Sequence, residues 1–410
     1  NHYQLSDDLE LASWDWYVGT GHIDPLRHGA AHDLVRGYKR QNFWLIETQP
    51  GNVNWRQVNN VVDQGETRRM AWHAVGHGAD AVLYWQWRSP LGGQEQYHGT
   101  LLDTTGQPRP FYAEAAQIGQ DFAAASDLLA GTHPVADTAI LFCHDSRWST
   151  GWQPHHQDFN YIEHLLHYYR PLRAQNLGVD ILSADAPLDG YRLVVAPALL
   201  ILNEPRVAHL KAFVEAGGHL VLTLRSGMKD EYNALLPLRQ PGALAELAGA
   251  EVEDYYALLE PIPVIGDGWQ GTSHTWAERL RPLHASTRVL ATYGPSNGWL
   301  DGRPAITQHA YGKGAVTFIG AYLDETSQAA LIQRLATEAG ARPPLSAPPG
   351  VEACLRAAPD GRQALILINY TRQPQPITLP WPANDSLHDQ DTVPAFILPP
   401  LDVALLTRRK

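Results

Sequence analysis

The chain contains 410 residues, more than one ordinary hydrophobic core accommodates, so its length favours two or three domains. Its 43 acidic and 31 basic residues give a net charge of −12, which disfavours binding to nucleic acid or to an anionic membrane. The longest apolar stretch, residues 193–202, is shorter than the roughly 20 residues of a membrane span, and two cysteines without CxxC spacing predict neither a zinc site nor a disulfide framework.

Strands and helices alternate in the first third of the chain. The predicted elements are strands at residues 11–14, 43–46 and 81–87 and helices at residues 30–39, 66–76 and 111–129. This order predicts three successive β/α units with parallel strands. Three units cannot close a barrel, and the chain starts with Asn1 rather than Met. We therefore expect upstream units to cover the bare edge of the first strand.

Loop signals at residues 131–137 precede a second α/β segment. Its elements are predicted strands at residues 138–142, 179–182, 193–196 and 220–224 and helices at residues 161–173 and 206–216. They predict an open, doubly wound domain over residues 131–341. A proline-rich linker follows, and short strands at residues 364–369 and 395–398 predict a small antiparallel β-sandwich over residues 342–410. The first domain is then residues 1–130, and the fold class is α/β.

Glu47 directly follows the apolar run at residues 43–46 and precedes the turn-forming Pro50 and Gly51. A carboxylate at the C-terminal end of a parallel strand occupies the place where β/α barrels keep their catalytic groups. Position alone is equally compatible with a glutamate that caps a helix or lies in a surface loop.

Further motifs around Glu47 follow in one order along the first hundred residues. They are Ser13-Trp14-Asp15 ahead of Tyr17, the segment from Trp44 to Pro50, Val53-Asn54-Trp55, His77-Gly78-Ala79-Asp80, Tyr84-Trp85-Gln86-Trp87-Arg88, and a loop from Gly93 to Gly99 with Glu95 and His98. In this order and spacing the chain resembles family 42 β-galactosidases. The resemblance implies the last three β/α units of a TIM (β/α)8 barrel, then a trimer-forming α/β domain that is similar to class I glutamine amidotransferases, then a small β-domain.

The resemblance also implies a function and a role for each site residue. The function is that of a retaining exo-β-galactosidase, which removes terminal β-D-galactosyl residues by double displacement with Glu47 as the nucleophile. The implied substrate-binding residues are Tyr17, Trp55, Trp85, Glu95 and His98. Without the resemblance, Trp55 reads as a core or rim residue, Tyr17 as a strand-end core residue, and Glu95 and His98 as loop surface. Arg88 is expected to pair with a barrel carboxylate.

The reaction needs a second carboxyl group that protonates the departing oxygen. In the resembled family this acid follows an Asn at the end of the fourth barrel strand, and no such pair precedes Glu47. Asn203-Glu204 lies in the second domain and is a poor candidate. We therefore expect the acid/base residue to lie outside this chain. We also expect the chain alone to be inactive.

An alternative to an enzyme is a noncatalytic sugar-binding or assembly scaffold derived from a truncated glycosidase. A related activity such as α-L-arabinopyranosidase is also open. An amidotransferase is disfavoured, because Cys143 lacks the glycine-flanked turn of an exposed nucleophile and is predicted to be a buried thiol. The adjacent His155 and His156 are predicted to be solvated. The sequence predicts no metal, no cofactor, a homotrimer and, from its cysteines, a cytoplasmic location.

Overall fold

A computed structural model describes residues 1–388, 390–392 and 394–408. Its internal contacts divide the chain into two compact units. One comprises residues 136–173 and 179–342, and the other comprises residues 2–135, 174–178 and 343–410. The predicted division into three domains, with boundaries after residues 130 and 341, stays a prediction.

The N-terminal part of the second of these units alternates helices with short strands. Its elements are α1 (His2–Ser6), β1 (Ser13–Asp15), α2 (Pro25–Lys39), β2 (Phe43–Thr48), α3 (Glu66–Gly76), β3 (Ala79–Tyr84), α4 (Tyr112–Leu129) and β4 (His133–Pro134). The strands β1, β2 and β3 form a parallel sheet in that order. The predicted succession of three β/α units is therefore present in the structure.

Local chemistry explains where these elements begin and which side they bury. The Asp24 carboxylate accepts hydrogen bonds from the backbone of Leu26 and Arg27, and Pro25 occupies the first turn, a combination that starts α2. Along β2, Phe43 and Leu45 are buried while Trp44 and Ile46 are exposed. The two faces of this strand thus lie in different environments, although both carry apolar side chains.

The apolar side chains on the uncovered face of this sheet form a patch. Trp44 and Ile46 of β2 are 43% and 38% exposed, and Leu83 of β3 is 44% exposed. Trp44 pairs with Ala81 across the sheet, so these residues share one face. Parallel sheets are normally covered on both faces, and this one is covered on one face among the described residues.

The other unit combines a parallel sheet with antiparallel strands. Its elements are β5 (Thr138–Phe142), α5 (His144–Trp152), α6 (Tyr161–Ala174), β6 (Val179–Ser183), β7 (Leu193–Ala196), α7 (Glu204–Ala216), β8 (His219–Thr223), a 3-10 turn (Gly242–Leu244), α8 (Ala245–Ala248), β9 (Ala250–Ala257), β10 (Ile262–Gly266), β11 (Trp269–Pro282), β12 (Arg288–Tyr293), β13 (Pro304–Tyr311), β14 (Gly314–Ile319), β15 (Ala321–Leu323) and α9 (Glu325–Ala339).

These strands form one mixed sheet in the order β15-β11-β10-β12-β13-β14-β8-β7-β5-β6, with β9 paired to β11. The pairs from β14 to β6 are parallel, and the remaining pairs are antiparallel. Strands β5 to β8 and helices α6 and α7 match predicted elements. Strands β9 to β15 are absent from that prediction and extend the sheet beyond it.

The C-terminal strands belong to the same unit as residues 2–135. They are β16 (Val351–Ala357), β17 (Gln363–Asn369), β18 (Gln375–Thr378), β19 (Ala383–Asp385), β20 (Gln390–Thr392), β21 (Ala395–Leu398) and β22 (Val403–Arg408). One sheet has the order β20-β19-β22-β17-β16-β4, and β18 pairs with β21. All these pairs are antiparallel, as the sequence predicts for this segment.

The C-terminal sheet shares a hydrophobic core with helices α3 and α4. Trp72 of α3 and Ala125 of α4 cluster with Ile366 of β17 and Leu405 of β22, all of them buried. The packing is close, because a Cβ at Gly76 would lie 3.0 Å from the Cys354 Sγ. Residues far apart in sequence therefore complete one core.

No helix in the described part of the chain is both long enough and apolar enough to cross a membrane.

Candidate active site

The C-terminal ends of β1 and β2 bring Glu47 and Tyr17 into contact. Asp15 is the Cα partner of Glu47 in the parallel pairing, so the residues just beyond β1 lie beside the end of β2. The Tyr17 hydroxyl donates a hydrogen bond of 2.9 Å to a carboxylate oxygen of Glu47. Glu47 is half-buried, and its side chain is accessible at this edge of the sheet.

Tyr17 also belongs to a cluster of aromatic rings next to this carboxylate. The ring of Tyr17 meets Trp55 edge-on, with centroids 4.9 Å apart. Trp55 in turn stacks on His98 with centroids 5.3 Å apart. Trp55 is 49% exposed, so one side of the indole faces solvent. An exposed indole beside a carboxylate suits the apolar face of a sugar ring.

The loop after β3 supplies two polar side chains. Glu95 accepts hydrogen bonds of 2.9 Å from the Trp85 indole and from the Gln86 amide. Gly99 brings this loop against Asn52, because its N–H donates to the Asn52 carbonyl oxygen at 2.8 Å. A Cβ at Gly99 would lie 2.4 Å from the Asn52 backbone nitrogen, so only glycine permits this approach.

The surroundings of His98 fix its protonation state and tautomer. The ring is fully buried, and burial lowers its pKa below the usual value. The Nε2 atom lies 2.9 Å from the Trp85 carbonyl oxygen, which can only accept, so Nε2 carries the proton. Nδ1 has no hydrogen-bond partner among the described atoms. His98 is therefore a neutral ring whose buried Nδ1 atom can only accept a hydrogen bond.

The carboxylate of Glu47 also changes the acidity of its neighbours. The pKa of Tyr17 is raised well above its usual value by burial and by its hydrogen bond to Glu47. The pKa of Asp15 is raised by burial and by repulsion from Glu47. Tyr17 therefore stays a hydrogen-bond donor at all physiological pH values.

The structure brings together the six residues singled out from the sequence. Glu47, Tyr17, Trp55 and His98 form a continuous chain of contacts, and Trp85 joins His98 to Glu95. Their roles in binding or catalysis stay predictions, because geometry alone does not assign them.

Sequence reasoning missed the contribution of Gln49. This buried side chain accepts from the Val18 N–H at 2.6 Å and donates to the Gly51 carbonyl oxygen at 2.8 Å. It therefore fixes the loop that carries Tyr17 against the loop that follows Glu47. The signal available in the sequence was a glutamine two residues after Glu47, within the motif from Trp44 to Pro50.

The residues that the sequence analysis excludes from the site lie in the other compact unit. Cys143 is buried and accepts from the Ser146 N–H as the cap of α5, in agreement with a buried thiol. His155 is exposed, whereas His156 is only partly exposed and contacts the Leu258 carbonyl oxygen. Asn203 caps α7, which leaves Glu204 in the first turn of a helix.

The expected carboxylate partner of Arg88 is not found among the described residues. Arg88 is exposed and donates to the Thr104 carbonyl oxygen at 2.9 Å instead. Two groups of His, Asp and Glu side chains in the described chain lie close enough to hold a metal ion. Neither of them includes Glu47, Glu95 or His98.

Comparison with known families identifies the class of this chain. The profile described as β-galactosidase matches residues 1–125, and the profile described as β-galactosidase trimerisation domain matches residues 136–342. The chain belongs to glycoside hydrolase family 42, the β-galactosidase family. The resemblance inferred from the sequence motifs is confirmed.

Two curated relatives are named β-galactosidases. A β-galactosidase of Halorubrum lacusprofundi is 35% identical over 380 residues, which cover 86% of this chain and 53% of the relative. A β-galactosidase of Haloferax lucentense is 35% identical over 417 residues, which cover 98% of this chain and 60% of the relative. The chain thus spans little more than half the length of these relatives.

Solved structures show the same fold. The β-galactosidase from Bacillus circulans sp. alkalophilus superposes with a TM-score of 0.95 at 26% identity, over 100% of this chain and 62% of that one. The β-galactosidase of Halorubrum lacusprofundi superposes with a TM-score of 0.88 at 32% identity, over 99% of this chain and 61% of that one.

Proposed function

We propose that the complete protein is a retaining exo-β-galactosidase in which Glu47 is the nucleophile. The observation that carries this proposal is the Glu47 carboxylate at a strand end, in contact with Tyr17 and close to Trp55 and His98, in a chain of this family. A solved relative at 27% identity is described as a catalytic mutant in which a glutamate is replaced by alanine, which agrees with a glutamate in the chemistry.

In the proposed reaction, a Glu47 oxygen attacks the anomeric carbon while the bond from that carbon to the departing oxygen breaks. A second carboxyl group protonates the departing oxygen, at about 5–5.5 Å from the nucleophile in retaining enzymes. The same group then takes a proton from water, which attacks the anomeric carbon and releases Glu47. We propose that this acid/base residue lies on a barrel strand outside the 410 residues.

The binding roles follow from the polarity of each side chain. Trp55 offers its exposed indole to the apolar face of galactose, and Trp85 orients Glu95 through its indole N–H. We propose that Glu95 accepts hydrogen bonds from sugar hydroxyls, and that His98 contributes to substrate binding through its stacking on Trp55. Tyr17 orients the nucleophile by its hydrogen bond to Glu47.

We further propose that residues 1–130 form the last three β/α units of a TIM barrel. The exposed apolar face carrying Trp44, Ile46 and Leu83 supports this, because the interior of such a barrel is a packed core. Without the other strands this face is solvated and the nucleophile lacks its acid partner. Residues 1–410 alone should therefore hydrolyse no β-galactoside at an appreciable rate.

Residues 131–341 are proposed to hold three copies of the chain together. The match to a trimerisation domain supports this role. The parallel strands β5 to β8 are proposed to descend from a glutamine amidotransferase-like fold that has lost its chemistry, since Cys143 is 3% exposed. Residues 342–410 are proposed to form the small β-sandwich domain.

Azide rescue of a Glu47→Gly variant tests the proposed role of Glu47. In the complete protein this variant should lose turnover of an activated aryl β-galactoside, and added azide should yield the α-galactosyl azide. The α product is expected because azide enters the space that the carboxylate leaves on the nucleophile side of the sugar.

Other products would assign the roles differently. A β-galactosyl azide would mean that Glu47 is the acid/base residue. A complete wild-type protein that binds galactose without hydrolysing any galactoside would support the noncatalytic scaffold instead.

A further inference from the structure

A group of buried histidines and a glutamate lies away from Glu47. His73 and His77 are one turn apart at the C-terminal end of α3, and Glu352 lies on β16. All three side chains are buried, and their nearest ligand atoms all lie within 4.8 Å of one another. The three residues belong to the same compact unit.

The distances between these atoms match the spacing of ligands around a zinc ion. The Nε2 atom of His77 lies 3.0 Å from one Glu352 carboxylate oxygen, and the Nε2 atom of His73 lies 3.5 Å from the other. Zinc bonds of about 2.0–2.1 Å to nitrogen and oxygen place tetrahedral ligands about 3.3 Å apart. A fourth ligand atom is also close, because the Pro25 carbonyl oxygen lies 3.0 Å from the His73 Nε2.

Two neighbouring groups orient these ligands. The Nδ1 atom of His77 lies 2.8 Å from an Asp33 carboxylate oxygen, so the Nε2 lone pair is directed at the cluster. The Tyr370 hydroxyl donates to Glu352 at 3.0 Å. A carboxylate behind a metal-bound histidine is a recurring feature of zinc sites, because it fixes the tautomer and the ring orientation.

We propose that His73, His77 and Glu352 bind one zinc ion that joins α3 to β16. Four donors from the protein leave no open position, which is typical of structural zinc. Without metal, the hydrogen bond between His77 and Glu352 holds a proton in the same place, and zinc replaces that proton. This site lies outside the proposed catalytic machinery and is independent of the proposed function.

Zinc content measured by mass spectrometry tests the proposal. After the complete protein is incubated with zinc chloride and desalted, the His73→Gln variant should hold one zinc per chain less than wild type. The comparison cancels any zinc bound elsewhere. His28→Gln is the matched control, because His28 is buried in the same unit but is not a member of the cluster.

Zinc affinity and thermal stability give a second readout. The Asp33→Asn variant should bind zinc about 10- to 100-fold more weakly, because the support behind His77 is lost. Chelation should lower the melting temperature of wild type and of His28→Gln but not of His73→Gln. Equal zinc content in wild type and His73→Gln would overturn the proposal.

X-ray absorption at the zinc edge gives an answer even if His73→Gln does not fold. Zinc-loaded wild type should show imidazole and oxygen ligands at about 2.0–2.1 Å. No bound zinc, or a shell made only of sulfur at about 2.3 Å, would overturn the assignment.

Discussion

Tyr17 is the side chain that touches the proposed nucleophile directly, through a hydrogen bond of 2.9 Å. Replacing it with phenylalanine keeps the ring against Trp55 but removes this bond. Since a hydrogen bond to a charged group contributes about 1.5–3 kcal/mol, we expect kcat of the complete protein to fall about 10- to 100-fold. KM should change little, because the packing of the ring is retained. Steady-state kinetics on an aryl β-galactoside measures both quantities.

The control for Tyr17→Phe is Tyr232→Phe. Tyr232 is 84% exposed and lies in the other compact unit, so its hydroxyl should have no effect on turnover. If both variants retain wild-type kcat, the hydrogen bond to Glu47 is dispensable.

At this scale the sequence motifs predicted residues that lie together in the structure, but not the contacts between them. Glu47, Tyr17 and His98 were found because their order resembles one family. That His98 carries its proton on Nε2 depends on a carbonyl oxygen 13 residues earlier in the chain. Such a contact depends on the path of the loop, and the residue types in the sequence do not predict that path.

The loop after β3 depends on the close contact of Gly99 with Asn52. In Gly99→Ala the new methyl group would lie 2.4 Å from a backbone nitrogen, so the loop must move. We expect a loss of about 1–3 kcal/mol in the free energy of unfolding and a higher KM, because Glu95 and His98 lie on the displaced loop. Urea unfolding and galactoside kinetics measure these effects.

Gly92→Ala is the control for this loop. A Cβ at Gly92 meets nothing within 4 Å, so this variant should behave like wild type. Equal behaviour of the two alanine variants would show that the loop adapts without cost.

Helix α6 carries a histidine that should make the fold sensitive to acid. Burial, followed by repulsion from His274 and Arg170, lowers the pKa of His167 to about 4, although the Leu323 backbone and Asp324 oppose the shift. Between about pH 6.5 and 4 the unfolded chain therefore binds a proton that the folded chain does not. The contribution of His167 to the free energy of unfolding is therefore fully present above about pH 6.5 and is lost as the pH falls through that window.

The His167→Gln variant should lose this part of the pH dependence. From about pH 7 to about pH 4.5, its free energy of unfolding should fall on the order of 1–3 kcal/mol less than that of wild type. Urea unfolding at both pH values measures the difference. His155→Gln is the control, because His155 is exposed. If the free energy of unfolding of His167→Gln fell with pH as steeply as that of wild type, His167 would not be the source of this acid sensitivity.

Elements were predictable where each segment carries its own pattern. Helix α3 and strand β5 have the predicted bounds, residues 66–76 and 138–142, because apolar periodicity and flanking glycines or polar residues define them. The antiparallel strands were missed, although Asp267-Gly268 between β10 and β11 is a strong signal for a two-residue hairpin. Because strands and helices alternate in the preceding segment, the same alternation was expected to continue, and the hairpin was not predicted.

The oligomeric state belongs to the whole molecule. Trp148 and Trp152 on α5 are 49% and 84% exposed, in the segment that matches a trimerisation domain. We expect a second copy of the chain to cover them. The double variant Trp148→Ser, Trp152→Ser should shift the complete protein from trimer toward monomer at micromolar concentration in analytical ultracentrifugation.

Trp299→Ser serves as the control for this shift. Trp299 is 65% exposed in the same unit and lies in the loop between β12 and β13. A wild-type protein that sediments as a monomer would remove the trimer proposal, and an unaffected trimer in the double variant would move the interface to another surface.

The shared core of α3, α4 and the C-terminal sheet cannot form until the end of the chain has been translated. Trp72 and Ala125 leave the ribosome long before Ile366 and Leu405, which cover them. The 207 residues from 136 to 342 are translated in between. At about 5–20 residues per second this takes about 10–40 s. During that time the apolar faces of α3 and α4 lack the strands that bury them, so this core stays exposed to solvent until the C-terminal strands have been made.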